Sequence, residues 1–105
     1  MIEAIRTKFA DGHFEFSKHV VDQSIVRGIS LAELIEAVES GIVIEDYPED
    51  KYGPSCLILG YTKAGRPLHI QCTHATRDFI KLITIYEPDD DLWIDFRTRR
   101  QLNRG

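Results

Sequence analysis

The sequence predicts an α+β protein in which short N-terminal helices pack on one face of a roughly four-stranded antiparallel meander sheet. Apolar residues recur at helical spacing as far as Val38, and β-branched runs follow from Ile42 onward. The turns between those runs are too short for parallel crossovers, which favours antiparallel pairing. A chain of 105 residues is long enough for one hydrophobic core, so we predict a single domain over 1–105.

The first predicted element is a short amphipathic helix, because Ile2, Ile5 and Phe9 recur at helical spacing before Asp11. The alternation of residues over 13–16 then predicts a short edge strand. These two elements precede the segment that carries much of the candidate chemistry.

Two further helices are predicted to form a hairpin. Ser17 can cap the N-terminus of the first, and Gly28 can take the left-handed conformation that ends it. Ser30 and Glu33 have the spacing of a capping box, which predicts the start of the second. Gly41 ends that helix after apolar residues at i, i+3, i+4 and i+7 have given it a core face.

The helix between Ser17 and Gly28 has two predicted faces. At about 100° per residue, Val21 and Ile25 point one way. On another side, His19, Gln23 and Arg27 form one stripe. An imidazole, an amide and a guanidinium on one stripe indicate either a solvated face or the working face of a site.

The second half of the chain predicts four strands, over 42–47, 55–62, 66–75 and 79–87. Turn-rich segments separate them, the longest over 48–54, and Pro88 ends the last strand. The acidic segment 89–93 predicts the start of a short C-terminal helix or an ordered tail, with Trp93 and Phe96 packing inward. The sheet face opposite the helices is expected to remain open.

The charge is acidic overall and uneven along the chain. Lys and Arg total 13 against 17 Asp and Glu, a net charge of −4, so any phosphate contact must come from a local patch. Acidic residues concentrate over 45–50 and 87–91, whereas the tail over about 97–105 is basic. Its arginines are Arg97, Arg99, Arg100 and Arg104. This tail could bind nucleic acid, or lie against acidic loops of its own fold or of a neighbour.

The sequence predicts a cytoplasmic protein without a membrane association or a cofactor. Cys56 and Cys72 lie in apolar runs and, without a secretory signal, are expected to be reduced and buried. No apolar run approaches the roughly 18 residues of a membrane span. A metal site at His69, Cys72 and His74 is not predicted, because strand parity places His69 opposite the other two.

Six motifs, spread over most of the chain, carry a family resemblance. They are Phe-Ser-Lys-His-x3-Gln-x3-Arg-Gly-Ile-Ser (16–30), Gly-x-Val-Ile-Glu-Asp-Tyr-Pro (41–48), Pro-Ser-Cys-Leu (54–57), Gly-Arg-Pro-Leu-His (65–69), Ile-Thr-Ile-Tyr-Glu-Pro-Asp (83–89) and Leu-Trp (92–93). From about Phe14 to Arg100 the chain resembles the bacterial and archaeal domain family DUF4258. The sequence departs from the family pattern at Gln23, a predicted substrate contact, where many members carry Arg.

This resemblance implies a fold and a function. The family is thought to resemble the barnase–EndoU–colicin–RelE group of small ribonucleases and toxins, and its members often lie beside zinc-finger antitoxins. A RelE-like fold and a ribonuclease toxin of a toxin–antitoxin pair are therefore expected. The implied partners are RNA, free or on the ribosome, and a cognate antitoxin of the zinc-finger type. The active groups of RelE-like proteins lie on and just beyond the central strands, which favours Arg66, His69 and Tyr86.

The residues present match the needs of metal-free RNA cleavage, which are a base for the 2′-OH, an acid for the leaving 5′-oxygen and a cation over the phosphate. His19 and His69 are the candidate acid and base, and the sequence does not decide which is which. Arg27 and Arg66 are expected to hold the phosphate. Tyr86 is expected to orient it or to stack on a base.

Each candidate also has a structural alternative. His19 could bond a strand carbonyl or an acid, and Arg27 could stabilise a helix C-terminus. His69 is expected to project away from the core, because strand parity places it opposite Leu68. It could still be, like Tyr86, an ordinary member of a solvent-facing sheet. The alternative function is a non-catalytic module that docks a protein partner through the open sheet face or the basic tail.

Overall fold

The computed structural model describes residues 1–51 and 53–101 and confirms the α+β class. The helices are α1 (Ile2–Ala10), α2 (Lys18–Val26) and α3 (Leu31–Glu39). The strands are β1 (Phe14–Phe16), β2 (Ile42–Tyr47), β3 (Ser55–Tyr61), β4 (Pro67–Thr73), β5 (Ile80–Tyr86), β6 (Trp93–Ile94) and β7 (Thr98–Arg99). Tyr52 of the predicted 48–54 turn and Arg104 of the basic tail lie outside the described residues. Over 1–51 and 53–101, no helix is both long and apolar enough for a membrane span.

The main sheet has five strands in the order β1-β5-β4-β3-β2. Strands β2 to β5 form the predicted antiparallel meander, and β1 lies at the predicted edge. The expected count of about four was too low, because β1 joins the sheet parallel to β5. Parallel pairing is possible here because the long connection from β1 to β5, which includes α2 and α3, gives the chain room to return.

The predicted helix ends are present as hydrogen bonds. Ser17 Oγ accepts from the Val20 amide at 3.1 Å and caps α2. Ser30 Oγ accepts from the Glu33 amide at 3.1 Å, and Glu33 Oε1 accepts from the Ser30 amide at 3.0 Å, which completes the capping box of α3. Gly28 follows α2 with φ +64, the left-handed conformation expected there.

The hydrophobic core lies between the helices and one face of the sheet. Its larger members are Ile5, Phe9, Val20, Leu34, Val38, Ile58, Leu68, Ile70, Ile80, Leu82 and Ile85. Cys56 and Cys72 are fully buried free thiols that lie directly opposite each other on β3 and β4, as a core role requires. Their mutual hydrogen bond, together with burial, raises the pKa of the Cys72 thiol.

The opposite face of the sheet is not open, which corrects the sequence prediction. The hairpin of β6 and β7 covers its centre, and the Trp93 ring lies 4.4 Å, centroid to centroid, from the ring of His69. No C-terminal helix forms over the described residues, so the alternative of an ordered tail is the one observed. The cover is needed because Leu57 and Leu59 also project to this face and would otherwise be exposed.

Helix α3 approaches the sheet closely at Gly60. A Cβ atom added at Gly60 would lie 1.8 Å from the Ala37 carbonyl oxygen. The helix end is held there by Ser40, whose Oγ donates to the Tyr61 carbonyl at 3.0 Å and accepts from the Tyr61 amide at 2.9 Å. The close packing of α3 therefore requires glycine at this position.

The substitution Gly60→Ala is expected to lower the free energy of unfolding by about 2–3 kcal/mol, because the added methyl group must push α3 off the sheet. Urea denaturation measures this change. Tyr61→Phe, at the exposed neighbouring position, is the control and should leave the midpoint nearly unchanged. Equal midpoints for the two variants would show that α3 does not pack as closely as described.

Candidate functional site

The stripe predicted on α2 lies along the free edge of β5. Strand β1 ends where Phe16 pairs with Leu82, so the rest of β5 has no strand on that side. Gln23 bridges the helix to the strand there. Its Nε2 lies 2.8 Å from His19 Nε2, and its Oε1 accepts from Thr84 Oγ1 at 3.2 Å. His19, Gln23 and Thr84 thus form one hydrogen-bonded row, which we call the edge row.

The edge row fixes the tautomer of His19. An amide nitrogen can only donate, so His19 Nε2 accepts and its proton is on Nδ1. The imidazole is exposed and lines a cavity of about 270 Å³ with Lys81, Leu82 and Ile83. The acceptor nitrogen of this exposed ring is therefore held by the Gln23 amide.

Arg27 continues the stripe at the other end of α2. Its Nη1 donates to the Ile85 carbonyl at 2.7 Å, an acceptor that lies beyond the end of the β1 pairing. Since the guanidinium has five N–H groups, this bond leaves donors that can reach a ligand. Arg27 thus has a structural contact and retains capacity for binding.

Tyr86 and His69 form a second pair on neighbouring strands. The Tyr86 hydroxyl lies 3.1 Å from His69 Nδ1, while His69 Nε2 bonds the Phe96 carbonyl oxygen. A carbonyl oxygen only accepts, so Nε2 carries the proton and Nδ1 accepts from Tyr86. Burial lowers the pKa of His69, in agreement with a neutral ring. Burial also raises the pKa of Tyr86, which favours its role as the donor.

The placement of His69 differs from the expectation in one respect. Its side chain does project to the face opposite Leu68, as strand parity predicted. It is, however, 0% exposed, because Trp93 and Phe96 of the hairpin cover it. His69 therefore holds Tyr86 and the hairpin in place and cannot contact a large ligand in this conformation.

Arg66 is directed to the turn between α2 and α3. Its Nη1 donates to the Gly28 carbonyl at 2.7 Å, and its Nη2 to the Arg27 carbonyl at 2.9 Å. It also forms ion pairs with Glu33 at 3.3 Å and Glu87 at 3.7 Å. These contacts join the C-terminus of α2 to the start of β4, so the guanidinium of Arg66 has a structural role.

A second cluster, whose members are not among the predicted catalytic residues, joins the hairpin to β2. Arg99 Nε lies 2.9 and 3.2 Å from the two carboxylate oxygens of Glu45, and its guanidinium lies 4.7 Å from the centre of the Trp93 ring. The Tyr47 hydroxyl donates to the same carboxylate. Burial and this bond raise the pKa of Tyr47 to about 12. The sequence signal for this cluster is the basic tail together with the acidic segment 45–50. Arg99 pairs within its own chain, with Glu45 of strand β2.

The structure thus brings most of the predicted residues to one edge of the sheet. His19 and Gln23 lie in the edge row, Arg27 bonds the next part of β5, and Tyr86 ends that strand with His69 beneath it. The exceptions are His69, which is buried on the interior strand β4, and the guanidinium of Arg66, which bonds the turn and two carboxylates.

A family model described as "Domain of unknown function (DUF4258)" matches residues 16–87. The chain belongs to the DUF4258 family. The match begins just before α2 and ends just after β5, so it includes the whole edge row and excludes the hairpin. Searches of curated proteins and of solved structures find no match.

The buried His69 predicts a pH dependence of stability. Its pKa is lowered in the folded state, so on acidification the unfolded chain takes up a proton first, near the ordinary pKa of about 6.5. The stability that neutral His69 contributes is therefore present above that pH and is lost as the pH falls through and below it.

The variant His69→Gln is expected to be less stable than the wild type at pH 8, with the gap narrowing toward pH 5 because Gln does not titrate. Urea midpoints across this range measure the gap. Thr76→Gln, at an exposed position that does not titrate, is the control and should show a gap that is constant with pH. A gap for His69→Gln that is constant from pH 8 to pH 5 would contradict the neutral buried ring.

Proposed function

We propose that this DUF4258 member is a cytoplasmic, metal-independent ribonuclease of the RelE-like type and the toxin half of a toxin–antitoxin pair. The observation that carries the proposal is the edge row, in which Gln23 holds an exposed His19 beside the free edge of β5. Arg27 supplies a guanidinium at the same edge. An imidazole and a guanidinium along one strand edge support the roles that we propose for them, proton acceptor and phosphate-binding cation.

The proposed reaction is internal attack by a 2′-OH. The RNA displaces the Gln23 amide from His19, and Nε2 takes the proton of the 2′-OH. The 2′-oxygen bonds to phosphorus while the bond from phosphorus to O5′ breaks. O5′ takes a proton from a water at this exposed edge, and the hydroxide that remains takes the proton from Nε2, which restores the neutral imidazole. Arg27 and the released amide of Gln23 donate to the phosphate oxygens. The products are a 2′,3′-cyclic phosphate and a free 5′-OH.

This mechanism assigns His69 and Tyr86 to different tasks. His69 is buried and neutral, so we propose it as a positioning residue that fixes Tyr86 rather than as the second acid–base group. The Tyr86 hydroxyl proton is bonded to His69, which leaves the ring as a stacking surface for a base. Arg66, whose guanidinium is occupied by the scaffold, contributes by holding the end of α2.

The charges around the edge row favour RNA as the substrate. Lys18 is exposed on α2 and Lys81 lines the cavity beside His19, while Arg27 lies farther along the same edge. Against these three cations stand two exposed acids, Asp22 of α2 and Glu15, which is opposite Lys81 on β1, so the local patch is weakly basic on a chain whose net charge is −4. Such a patch is what an acidic protein needs to hold a phosphate backbone.

The substitution His19→Ala is expected to lower the rate of RNA cleavage in EDTA at least about 100-fold, because it removes the proton acceptor. Gel analysis of a long mixed-sequence RNA, with detection of 2′,3′-cyclic phosphate ends, measures the rate. His13→Ala removes another exposed imidazole and should cleave like the wild type. RNA left intact by the wild type, both free and on translating ribosomes, would rule the nuclease out.

A second candidate function, a module that docks a protein, is favoured by the outer face of α2. Val26 is 86% exposed and Ile25 is 72% exposed, with Val21 and Leu31 exposed beside them. A cavity of about 190 Å³ adjoins this face between α2 and α3. Contiguous exposed apolar side chains of this kind mark protein interaction sites. The partner that we propose is the cognate antitoxin, of the zinc-finger type, bound here rather than on the sheet face or the basic tail.

The substitution Val26→Asp is expected to weaken antitoxin binding at least tenfold, because it places a charge in the apolar face without disturbing the core. Isothermal titration with the product of the adjacent reading frame measures the affinity. Thr76→Asp, in the exposed turn between β4 and β5, is the matched control. Equal affinities for the two variants would exclude this face as the docking site.

A further inference from the structure

A cleft of about 290 Å³ lies between the end of β5 and the C-terminal hairpin. Its lining residues are Tyr86, Leu92, Trp93, Arg99 and Arg100. Tyr86 is also the last residue of β5, two positions beyond Thr84 of the edge row. The cleft and the cavity beside His19 are therefore both lined by residues of β5.

We propose that this cleft binds one nucleotide of single-stranded RNA, with the base between Tyr86 and Leu92 and the phosphate on Arg100. The proposal takes its substrate class from the proposed ribonuclease function, but it concerns binding alone and requires no catalysis. It places the hairpin, which lies outside the family match, in substrate recognition.

The walls of the cleft suit a flat, largely apolar group. Leu92 is 54% exposed and Tyr86 is half-buried, so both present apolar surface to the cleft. Trp93 forms the floor, fixed by its edge contact with His69 and by Arg99 over its ring. Aromatic rings that face a groove are the usual surface on which proteins stack single-stranded bases.

The available positive charge comes from Arg100. Arg99 is paired with Glu45, so its charge is largely neutralised. Arg100 donates only its Nε, to the Asp90 carbonyl at 2.7 Å, and its two Nη groups make no hydrogen bond or ion pair within the described chain. A free guanidinium fork matches the geometry of a phosphate. The acidic side chains over 89–91 are not among the lining residues.

The backbone of the hairpin holds these groups together. The Arg100 amide donates to the Leu92 carbonyl at 2.8 Å, so the proposed base and phosphate contacts lie side by side. The turn between the strands is strained, with φ +51 at Asp95 and φ +61 at Phe96. A bulky residue rarely adopts this conformation, and here the bond from His69 to the Phe96 carbonyl fixes it. Tight hairpin turns commonly contain residues with positive φ, so this conformation belongs to the connection between β6 and β7.

The chain carries its own reporter of the cleft, because Trp93 is its sole tryptophan. The test titrates the His19→Ala protein, which should not cleave, with a short oligouridylate in EDTA and follows tryptophan fluorescence. We expect a saturable change in emission. Adding Arg100→Glu should raise the apparent Kd at least tenfold. It should also reduce the slope of log Kd against log salt by about 0.7, the value for one lost phosphate contact.

Arg77→Glu is the matched control, since Arg77 is an exposed arginine in the turn at the other end of β5. It should leave Kd within twofold of the parent. Equal affinities for Arg77→Glu and Arg100→Glu would overturn the proposal, as would equal competition by a polyglutamate peptide, which would indicate an acidic protein instead. If Arg100→Glu shifts the melting temperature, Leu92→Ser at an exposed position repeats the test.

The two proposals fail differently. Cleavage of RNA by the wild type with an unchanged KM in Arg100→Glu would leave the ribonuclease standing and remove the cleft as a subsite. Binding that depends on Arg100 without cleavage by any variant would leave the subsite standing and remove the ribonuclease.

Discussion

The hydrogen bonds of the buried His69 are the interaction on which one whole side of this protein depends. One neutral imidazole accepts from Tyr86 and donates to Phe96, so it joins β4, β5 and the C-terminal hairpin. A buried donor or acceptor without a partner costs about 1–3 kcal/mol, so the sheet face and the hairpin need each other. The hairpin, with strands of two residues, has too little structure to be stable alone.

The elements were predictable where local chemistry decides them. The caps at Ser17 and Ser30 and the turn glycine at Gly28 placed the helices to within a residue or two. The hairpin itself was not predictable, but the sequence does indicate that this face of the sheet is covered. Strand β3 is apolar on both faces, and a solvated face would not carry Leu57 and Leu59. That pattern predicts cover on both sides without naming the segment that supplies it.

Part of the candidate site could likewise be predicted from the sequence, and part depends on the folded chain. The stripe of His19, Gln23 and Arg27 follows from helical periodicity alone, so the sequence could place it on one face. The pairing of His69 with Tyr86 depends on register, because a bulge at Ile83 shifts β5 against β4 after Gln71. The position of Arg66 depends on which carbonyls the folded chain leaves open at the end of α2, which no local rule supplies.

Helix α2 relates the two proposed functions to each other. Its nine residues present a polar stripe to the edge of β5 and an apolar face with Ile25 and Val26 to solvent. An antitoxin on the apolar face would not need to touch His19 to affect it, because Gln23 on the same helix holds the acceptor nitrogen of His19. A small rotation of α2 on binding would strengthen or break that bond. This geometry therefore favours one form of regulation, in which a bound partner inhibits cleavage and leaves the RNA cleft free.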